Sequence, residues 1–204
     1  MMIHGAAYPA PNPRRVRMYL AEKGLSPAYA DVDLQTAAHK APGFVAKNSL
    51  GQVPTMELDD GTVIAESVAI CRYFEALHPD PPLFGRTPVE QAKIEMWIRR
   101  IELQLMMPVS LYWVNAHPLT RSLRAQKYQE YGEAQKRRAI DRMRWLDREI
   151  AGRDFIAGDA FSIADIIAET TIVFAKFVGI PLPEEATALA AWRARMKQRP
   201  SFRA

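Results

Sequence analysis

The sequence predicts two folding units: a small α/β unit with a mixed four-stranded sheet, followed by an all-helical unit. Strand-like and helix-like patterns alternate up to His78, as in a strand–helix–strand unit completed by a hairpin and a helix. Residues 79–88 (PDPPLFGRTP) contain four prolines and a glycine, which is the composition of a linker. Every pattern beyond them is helical. We therefore assign residues 1–80 to the first domain, 81–88 to the linker and 89–204 to the second domain.

The elements of the first unit follow from apolar runs and from the residues that interrupt them. The hairpin is the clearest, because the turn residues 59–61 (DDG) separate an apolar strand beginning at Val53 from a returning strand. Pro54 has no N–H, so it suits the start of that strand rather than its middle. In chain order, we predict strands at 2–5 and 29–33 with a helix at 13–23 between them, a short helix at 42–48, hairpin strands at 53–58 and 62–64, and a helix at 66–78.

Apolar side chains at helical spacing define the helices of the second unit. One stripe runs from Ile94 to Leu105, and another consists of Ile140, Met143, Leu146 and Ile150. The segment 161–166 (FSIADI) predicts the start of a third helix. Its Ser occupies the N-cap position, and the Asp three residues later can accept a hydrogen bond from the backbone N–H of that Ser. Pro108 is expected to kink or break the helix that contains it.

Composition excludes several classes of protein. The 204 residues include one cysteine, so an internal disulfide is impossible, and the four histidines show no metal-site spacing. The sequence has no run of about 18 apolar residues, and its start lacks the pattern of a signal peptide. The densest basic stretch, residues 136–144, is interleaved with apolar residues as in an amphipathic helix. We therefore predict a cytoplasmic protein with no bound metal, no membrane contact and no nucleic-acid partner.

Residues 48–56 (NSLGQVPTM), together with Glu66 and Ser67, predict a site that holds a small peptide by its backbone. A cis turn at Val53–Pro54, which an X-Pro bond allows at modest cost, would leave the Val53 N–H and C=O unpaired. Ser67 starts an apolar helical run, so its hydroxyl and the free helix N–H groups would bind an anion. The Glu66 carboxylate adds a place for an ammonium group. One peptide unit, one carboxylate and one ammonium group, held in that order, describe glutathione.

The chain resembles the soluble glutathione transferases, and in particular bacterial-like members, over nearly its full length. The resemblance rests on the segment just described and on three further landmarks in the expected order: residues 15–17 (RVR), 22–25 (EKGL) and 161–166 (FSIADI). It implies a thioredoxin-like N-terminal domain that binds glutathione and an all-helical C-terminal domain that contributes the electrophile pocket. It also implies a homodimer.

The junction between the first strand and the first helix (AAYPAPNPRRV) departs from the serine-type pattern of this family. Ala10 stands where serine-type enzymes carry their hydroxyl, and no Ser, Thr or Cys precedes Ser26. The candidates for activating the glutathione thiol are Asn12, which resembles the asparagine of the bacterial nu-type members, and Tyr8. Each has a second interpretation, since Asn12 followed by Pro13 is also a good helix N-cap and Tyr8 is also a candidate pocket residue. A backbone N–H at the helix start is a third candidate, which would activate the thiol without any side chain.

The resemblance implies contacts for the rest of glutathione. Val53 would pair with the cysteinyl backbone, Pro54 would shape the turn, and Glu66 and Ser67 would bind the γ-glutamyl end. The expected contacts of the glycine carboxylate are Lys40, His39 and Gln52. The expected electrophile pocket consists of Tyr8, Met106, Met107, Leu111 and Asn115, each of which is also a candidate for ordinary core packing.

The sequence is compatible with three functions. The leading one is glutathione transfer, in which the bound thiolate attacks an electrophilic carbon of a small hydrophobic substrate. Asn12 favours a second, the glutathione-dependent reduction of disulfides or peroxides. Ala10 favours a third, a non-catalytic binding or regulatory protein, although the complete set of glutathione contacts argues against it.

Overall fold

The structure is a computed structural model that describes residues 1–7, 9–123 and 128–204, the side chains of residues 121–123 excepted. The chain forms two compact units. One consists of Met1–Leu83 together with Pro200–Ala204, and the other is Phe84–Arg199.

A four-stranded mixed sheet forms the centre of the first unit, with the strand order β2–β1–β3–β4. Strand β1 pairs in parallel with β2 and antiparallel with β3, and β3 pairs antiparallel with β4. The predicted α/β class and mixed sheet are confirmed. The first hairpin strand is shorter than expected, because its pairing begins only after Pro54, and the returning strand is shifted by one residue. The strands are β1 Met2–Gly5, β2 Ala28–Asp31, β3 Thr55–Glu57 and β4 Val63–Ala65.

Three α-helices accompany this sheet: α1 Pro11–Lys23, α2 Pro42–Val45 and α3 Ser67–Leu77. The core between sheet and helices is apolar and closed to solvent, since Ile3, Val16, Tyr19, Met56 and Ile70 are all 0% exposed. Burial of such side chains stabilises a fold by roughly 1.5–3 kcal/mol each. The first unit therefore has a hydrophobic core of its own.

The last five residues pack on the first unit rather than on the helical one. Their 3₁₀ turn, Pro200–Arg203, lies against α1, where the Arg14 guanidinium donates to the Phe202 carbonyl at 2.7 Å and the Ser201 hydroxyl donates to Glu22. Residues 200–204 therefore belong to a different unit from the one predicted. The reason is a contact between residues far apart in sequence, which local patterns do not reveal. The predicted linker boundaries stay a prediction.

Over its described residues the second unit contains helices and no strand, apart from one isolated β-bridge between Phe155 and Gly158. Its core side chains include Trp97, Ile101, Leu105, Met143 and Trp192, none more than 2% exposed. Its α-helices are α4 Pro88–Ile101, α5 Met107–Asn115, α6 Gln129–Ile150, α7 Ile163–Phe177 and α8 Thr187–Met196. No helix in the described part of the chain is long and apolar enough to cross a membrane.

One apolar position of α6 was predicted on the wrong face. Ile140 is only half-buried, whereas Ala139 is 0% exposed and continues the spacing of Met143, Leu146 and Ile150. The alternating steps of four and three residues keep these side chains on one side of the helix. Ile140 is rotated away from that side.

The break expected at Pro108 is a π-helical segment, Glu102–Met106, that joins α4 to α5. The Met107 N–H bonds to the Glu102 carbonyl, five residues earlier rather than four. Pro108 has no N–H and its ring would crowd the carbonyl of residue 104, so the wider turn accommodates it without ending the helical path.

Candidate functional site

Three segments that the sequence singled out meet at one edge of the sheet. Strand β1 runs toward Gly5, β3 starts at Thr55 opposite His4, and Ala65 at the end of β4 pairs with Thr55. The end of β1, the start of β3 and the end of β4 are therefore neighbours. These positions lead respectively to the start of α1, to the Val53–Pro54 turn and to the start of α3.

The turn in the middle of this edge presents an unused peptide unit. The Val53–Pro54 bond is cis, as predicted, and Val53 is half-buried. Within the described residues, neither the N–H nor the C=O of Val53 takes part in a hydrogen bond. A buried or half-buried backbone polar group normally has a partner, so this peptide unit is free to pair with a ligand.

A buried network holds the segment before the turn in place. Asn48 is 8% exposed, and its amide nitrogen donates to the Gln52 carbonyl at 2.9 Å and to the Thr55 hydroxyl at 3.0 Å. The Thr55 hydroxyl itself donates to the Gln52 carbonyl at 3.0 Å, and the Leu50 N–H donates to the Asn48 amide oxygen at 3.2 Å. These bonds fix the path of the chain into Val53.

Of the three residues predicted for the glycine carboxylate, Lys40 is the one bound to the turn segment. Its ammonium group donates to the carbonyls of Leu50 and Gly51 at 2.9 and 2.8 Å, which leaves one N–H without a partner among the described residues. Gln52 is exposed. His39 is half-buried, and burial followed by the nearby charge of Lys40 lowers the pKa of its imidazole, so the ring is neutral at pH 7. Its Nδ1 atom is buried and has no hydrogen-bond partner among the described residues.

The start of α3 combines a buried hydroxyl with an exposed carboxylate. Ser67 is 3% exposed and its hydroxyl oxygen accepts a 2.9 Å hydrogen bond from the guanidinium of Arg15, which is 2% exposed. Glu66 is the N-cap residue rather than a helical one, and its φ of 69° lies in the left-handed region that residues with a Cβ rarely adopt. Its side chain is exposed and does not cap the helix. Conformations of this kind recur at ligand sites.

The start of α1 corrects the prediction for Asn12. The helix begins at Pro11, so Ala10 is the N-cap and Asn12, which is half-buried, lies one residue inside the helix. The reason is that Pro11 has the φ required at the first helical position, and Pro13 is tolerated within the first turn. Asn12 is therefore not the cap. Tyr8, the other predicted donor, lies outside the described residues.

The backbone donors at the start of α1 are unusually few. The Ala10 N–H bonds to the Ala7 carbonyl at 3.2 Å and the Arg14 N–H bonds to the Ala10 carbonyl at 3.3 Å. Pro11 and Pro13 have no N–H. Among the described residues the Asn12 N–H has no hydrogen-bond partner, so Asn12 supplies the available backbone donor of the first turn, where the helix dipole places positive charge.

The residues predicted for an electrophile pocket lie around the π segment and along α5 of the second unit. Met106 and Leu111 are half-buried, and Met107 is 47% exposed. Asn115 is 6% exposed, and its amide nitrogen donates to the Leu111 carbonyl at 2.9 Å. Asn115 thus has a structural partner, whereas Met106 is half-buried and Met107 is exposed.

Two residues of this edge were not predicted to act there. Arg15 was recognised only as part of a family landmark, and Asn48 only as part of the turn segment, yet both are buried polar groups that position site residues. Polar residues on otherwise apolar stretches are the signal that would have identified them. Cys71 is fully buried, and burial raises the pKa of its thiol, as expected for a core residue rather than a nucleophile. Within the described residues, no group of His, Cys, Asp or Glu is arranged to hold a metal ion.

The α/β unit and the helical unit define a thioredoxin-like protein with an appended helical domain. Residues 10–77 match the family described as "Glutathione S-transferase, N-terminal domain", and residues 103–200 match "Glutathione S-transferase, C-terminal domain". The chain belongs to the glutathione S-transferase family, whose members are transferases that use glutathione as co-substrate.

Individual relatives agree with this assignment. Glutathione S-transferase 2 of Saccharomyces cerevisiae is 43% identical over 196 residues, which cover 95% of this chain and 84% of that protein. The crystal structure of Gtt2 from the same yeast superposes with a TM-score of 0.94 at 42% identity and covers 100% of this chain and 99% of that one. A Gtt2-class glutathione S-transferase of Vibrio parahaemolyticus gives a TM-score of 0.87 at 30% identity, with 100% and 96% of the two chains covered.

Proposed function

We propose that this protein binds glutathione along the edge formed by α1, the Val53–Pro54 turn and α3, and transfers it to small hydrophobic electrophiles. The observation that carries the proposal is the strand register. It places a helix start, a free peptide unit and a second helix start side by side, in the order of thiol, peptide bond and γ-glutamyl group.

The γ-glutamyl end has the best-defined partner in this proposal. Its carboxylate accepts hydrogen bonds from the Ser67 hydroxyl and from the first N–H groups of α3, where the helix dipole favours negative charge. Arg15, which donates to the Ser67 oxygen, leaves the hydroxyl proton free for the ligand. The ammonium group pairs with Glu66.

The remainder of the tripeptide follows along the same edge. The cysteinyl N–H and C=O pair with the C=O and N–H of Val53 in an antiparallel manner, as a strand added to the turn. The glycine carboxylate lies toward Lys40, whose third N–H is free, with Gln52 and the buried Nδ1 of His39 nearby in the chain.

Thiol activation is assigned to the start of α1. A free thiol titrates near 8.5, and the thiolate is the nucleophile. The Asn12 N–H and side-chain amide, together with the helix dipole, stabilise the thiolate and lower its pKa. The thiolate then attacks an electrophilic carbon, a C–S bond forms, and the leaving group departs with its bonding electron pair. Tyr8 stays the alternative donor.

The proposed acceptor site lies on the helical unit. Met106, Met107 and Leu111 supply flexible apolar surface suited to varied small substrates. Asn115, bound to the Leu111 carbonyl, has a supporting rather than a binding role. The cytoplasmic location predicted from the sequence stays a prediction.

We also propose that the protein is a homodimer through one side of α4. Val89, Met96 and Leu103 are 62%, 40% and 48% exposed and recur every seven residues, so they share one face of the helical path. Repeated large apolar side chains on a surface are typical of an interface.

Light scattering tests the dimer. We expect the wild-type protein to have twice the mass of the chain and Leu103→Glu to have the mass of one chain. Leu119→Glu is the matched control, because Leu119 is 65% exposed outside the stripe and its change should leave the dimer intact. A monomeric wild-type protein would contradict the proposal.

Calorimetric titration with glutathione tests the binding site. Ser67→Ala should weaken glutathione binding about tenfold or more, which corresponds to the loss of one hydrogen bond to a charged group, about 1.5–3 kcal/mol. Ser26→Ala is the matched control, since Ser26 is exposed and precedes β2 at the opposite edge of the sheet. Equal affinities of all three proteins would show that the ligand binds elsewhere.

Asn12 favours disulfide or peroxide reduction as a second candidate activity. Parallel assays of an aryl halide and of a glutathione mixed disulfide separate the two reactions, with Ser67→Ala as the common control. Conjugation that greatly exceeds reduction supports the transferase, and the opposite ratio supports the reductase.

A further inference from the structure

A buried polar seam joins helix α1 to helix α3. On each helix the members of the seam recur every four residues, so they lie on one side of that helix. The members on α1 are buried, and Cys71 in the middle of the α3 row is 0% exposed. The seam consists of Arg15, Tyr19 and Lys23 on α1 and of Ser67, Cys71 and Glu75 on α3.

The far end of the seam is a charged cluster around Glu75. Its carboxylate accepts a 2.5 Å hydrogen bond from the Tyr19 hydroxyl and lies 2.5 Å from the ammonium nitrogen of Lys23. Lys23 is the last residue of α1, and its ammonium group also donates to the carbonyl of His78 at 2.8 Å and to the carbonyl of Pro81. All three N–H groups of Lys23 are therefore used.

The near end of the seam is the hydrogen bond from Arg15 to Ser67, at the proposed glutathione site. Helix α3 is thus bound to α1 both at its first residue and at Glu75 in its last turn. A slip of α3 by one helical turn would move each polar group about 5.4 Å from its partner. One alignment of the two helices therefore satisfies every member.

The chemistry of the far cluster suits it to fixing this alignment. The Lys23 side chain is 0% exposed, and loss of hydration offsets much of its attraction to Glu75, so the pair adds little net stability. The best-attested role of buried polar pairs is to select one alignment, since any other leaves a buried charge without a partner. Burial, followed by the hydrogen bond to Glu75, raises the pKa of Tyr19, so its hydroxyl stays protonated and remains a donor.

We propose that Tyr19, Lys23 and Glu75 are positioning residues for glutathione, because they fix how α3 lies along α1. This inference rests on the function proposed above, in which the thiol binds at the start of α1 and the γ-glutamyl group at the start of α3. One ligand molecule must reach both helix starts at once. A fixed spacing between them lets glutathione occupy both without the cost of ordering the protein.

Thiolate absorbance and calorimetry with glutathione test the inference in Glu75→Gln and Tyr19→Phe. We expect Glu75→Gln to lose about half of the downward pKa shift of the bound thiol and to bind glutathione about tenfold more weakly. Tyr19→Phe should change both quantities in the same direction by a smaller amount. It keeps the ring and the pair of Lys23 with Glu75, so it carries the test if Glu75→Gln does not fold.

Leu20→Ala is the matched control, because Leu20 is 4% exposed on the same helix but is not a member of the seam. Its truncation leaves a cavity and lowers stability in urea denaturation, yet the bound thiol should keep the wild-type pKa and affinity. Wild-type values in both Tyr19→Phe and Glu75→Gln, or an equal loss in Leu20→Ala, would overturn this inference alone. A wild-type protein that does not bind glutathione would overturn the proposed function as well.

Discussion

The guanidinium of Arg15 donates a 2.9 Å hydrogen bond to the hydroxyl oxygen of Ser67, and both residues are almost fully buried. The bond joins the first turn and a half of α1 to the first residue of α3. It therefore ties the helix start assigned to the glutathione thiol to the helix start assigned to its γ-glutamyl group.

This bond makes Arg15 a positioning residue for the proposed site. We expect Arg15→Gln to weaken glutathione binding about tenfold, because the Ser67 hydroxyl loses its fixed orientation, and to lower the free energy of unfolding by about 1–3 kcal/mol. A double-mutant cycle with Ser67→Ala, read as glutathione affinity, should give a coupling energy of about 0.5–3 kcal/mol. Additive effects would show that Arg15 supports the fold alone.

Glu66 combines a functional role with backbone strain. A positive φ costs a residue with a Cβ about 1 kcal/mol or more, and glycine avoids that cost. We expect Glu66→Gly to raise the free energy of unfolding by about 1 kcal/mol while weakening glutathione binding, as judged by urea denaturation and calorimetry. Glu66→Gln should weaken binding with unchanged stability, because it keeps the strain. Unchanged glutathione affinity in both variants would remove the carboxylate from the site.

The sequence was sufficient for features that depend on local chemistry. The hairpin followed from its turn residues and the cis turn from Pro54, and the two-unit organisation followed from the prolines between the units. Contacts between residues distant in sequence could not be predicted from local patterns. The hydrogen bond between Arg15 and Ser67 is an example, since these residues are 52 positions apart. The start of α1 was also ambiguous, because either Pro11 or Pro13 can occupy the first helical position.

Asp165 gives the helical unit a pH-dependent stability. Its carboxylate accepts hydrogen bonds from the Trp192 indole and the Ile156 N–H on one oxygen and from the Ser162 N–H and hydroxyl on the other. Burial nevertheless dominates and raises its pKa from 3.8 to about 6. The native state therefore binds the proton more tightly than the unfolded chain.

Protonation of Asp165 therefore contributes to the free energy of unfolding. This contribution is fully present below pH 3.8 and is lost as the pH rises through about 6. We expect the free energy of unfolding to fall across this window by up to about 3 kcal/mol, since each pKa unit is worth about 1.4 kcal/mol. Asp165→Asn should be less stable than wild type and should lack this step in urea denaturation between pH 4 and 8. An identical pH profile in the variant would assign the step to another group.

Asn12 has two possible donors, its side-chain amide and its backbone N–H. Asn12→Ala removes only the first, whereas Asn12→Pro removes both and is compatible with the first helical turn. We expect the pKa of bound glutathione to rise in Asn12→Ala and to rise further in Asn12→Pro, as measured by thiolate absorbance. Equal values in both variants and in wild type would assign activation to Tyr8 or another group.

In the function proposed above, one edge of the sheet both binds glutathione and ionises its thiol. The most direct test is an ultraviolet titration of the thiolate band of glutathione against pH, with saturating wild-type protein and with Ser67→Ala at the same concentrations. We expect a bound thiol that ionises about one to two pH units below the free value of about 8.5, and a much smaller shifted fraction with Ser67→Ala. Saturable binding with an unshifted thiol pKa would contradict it.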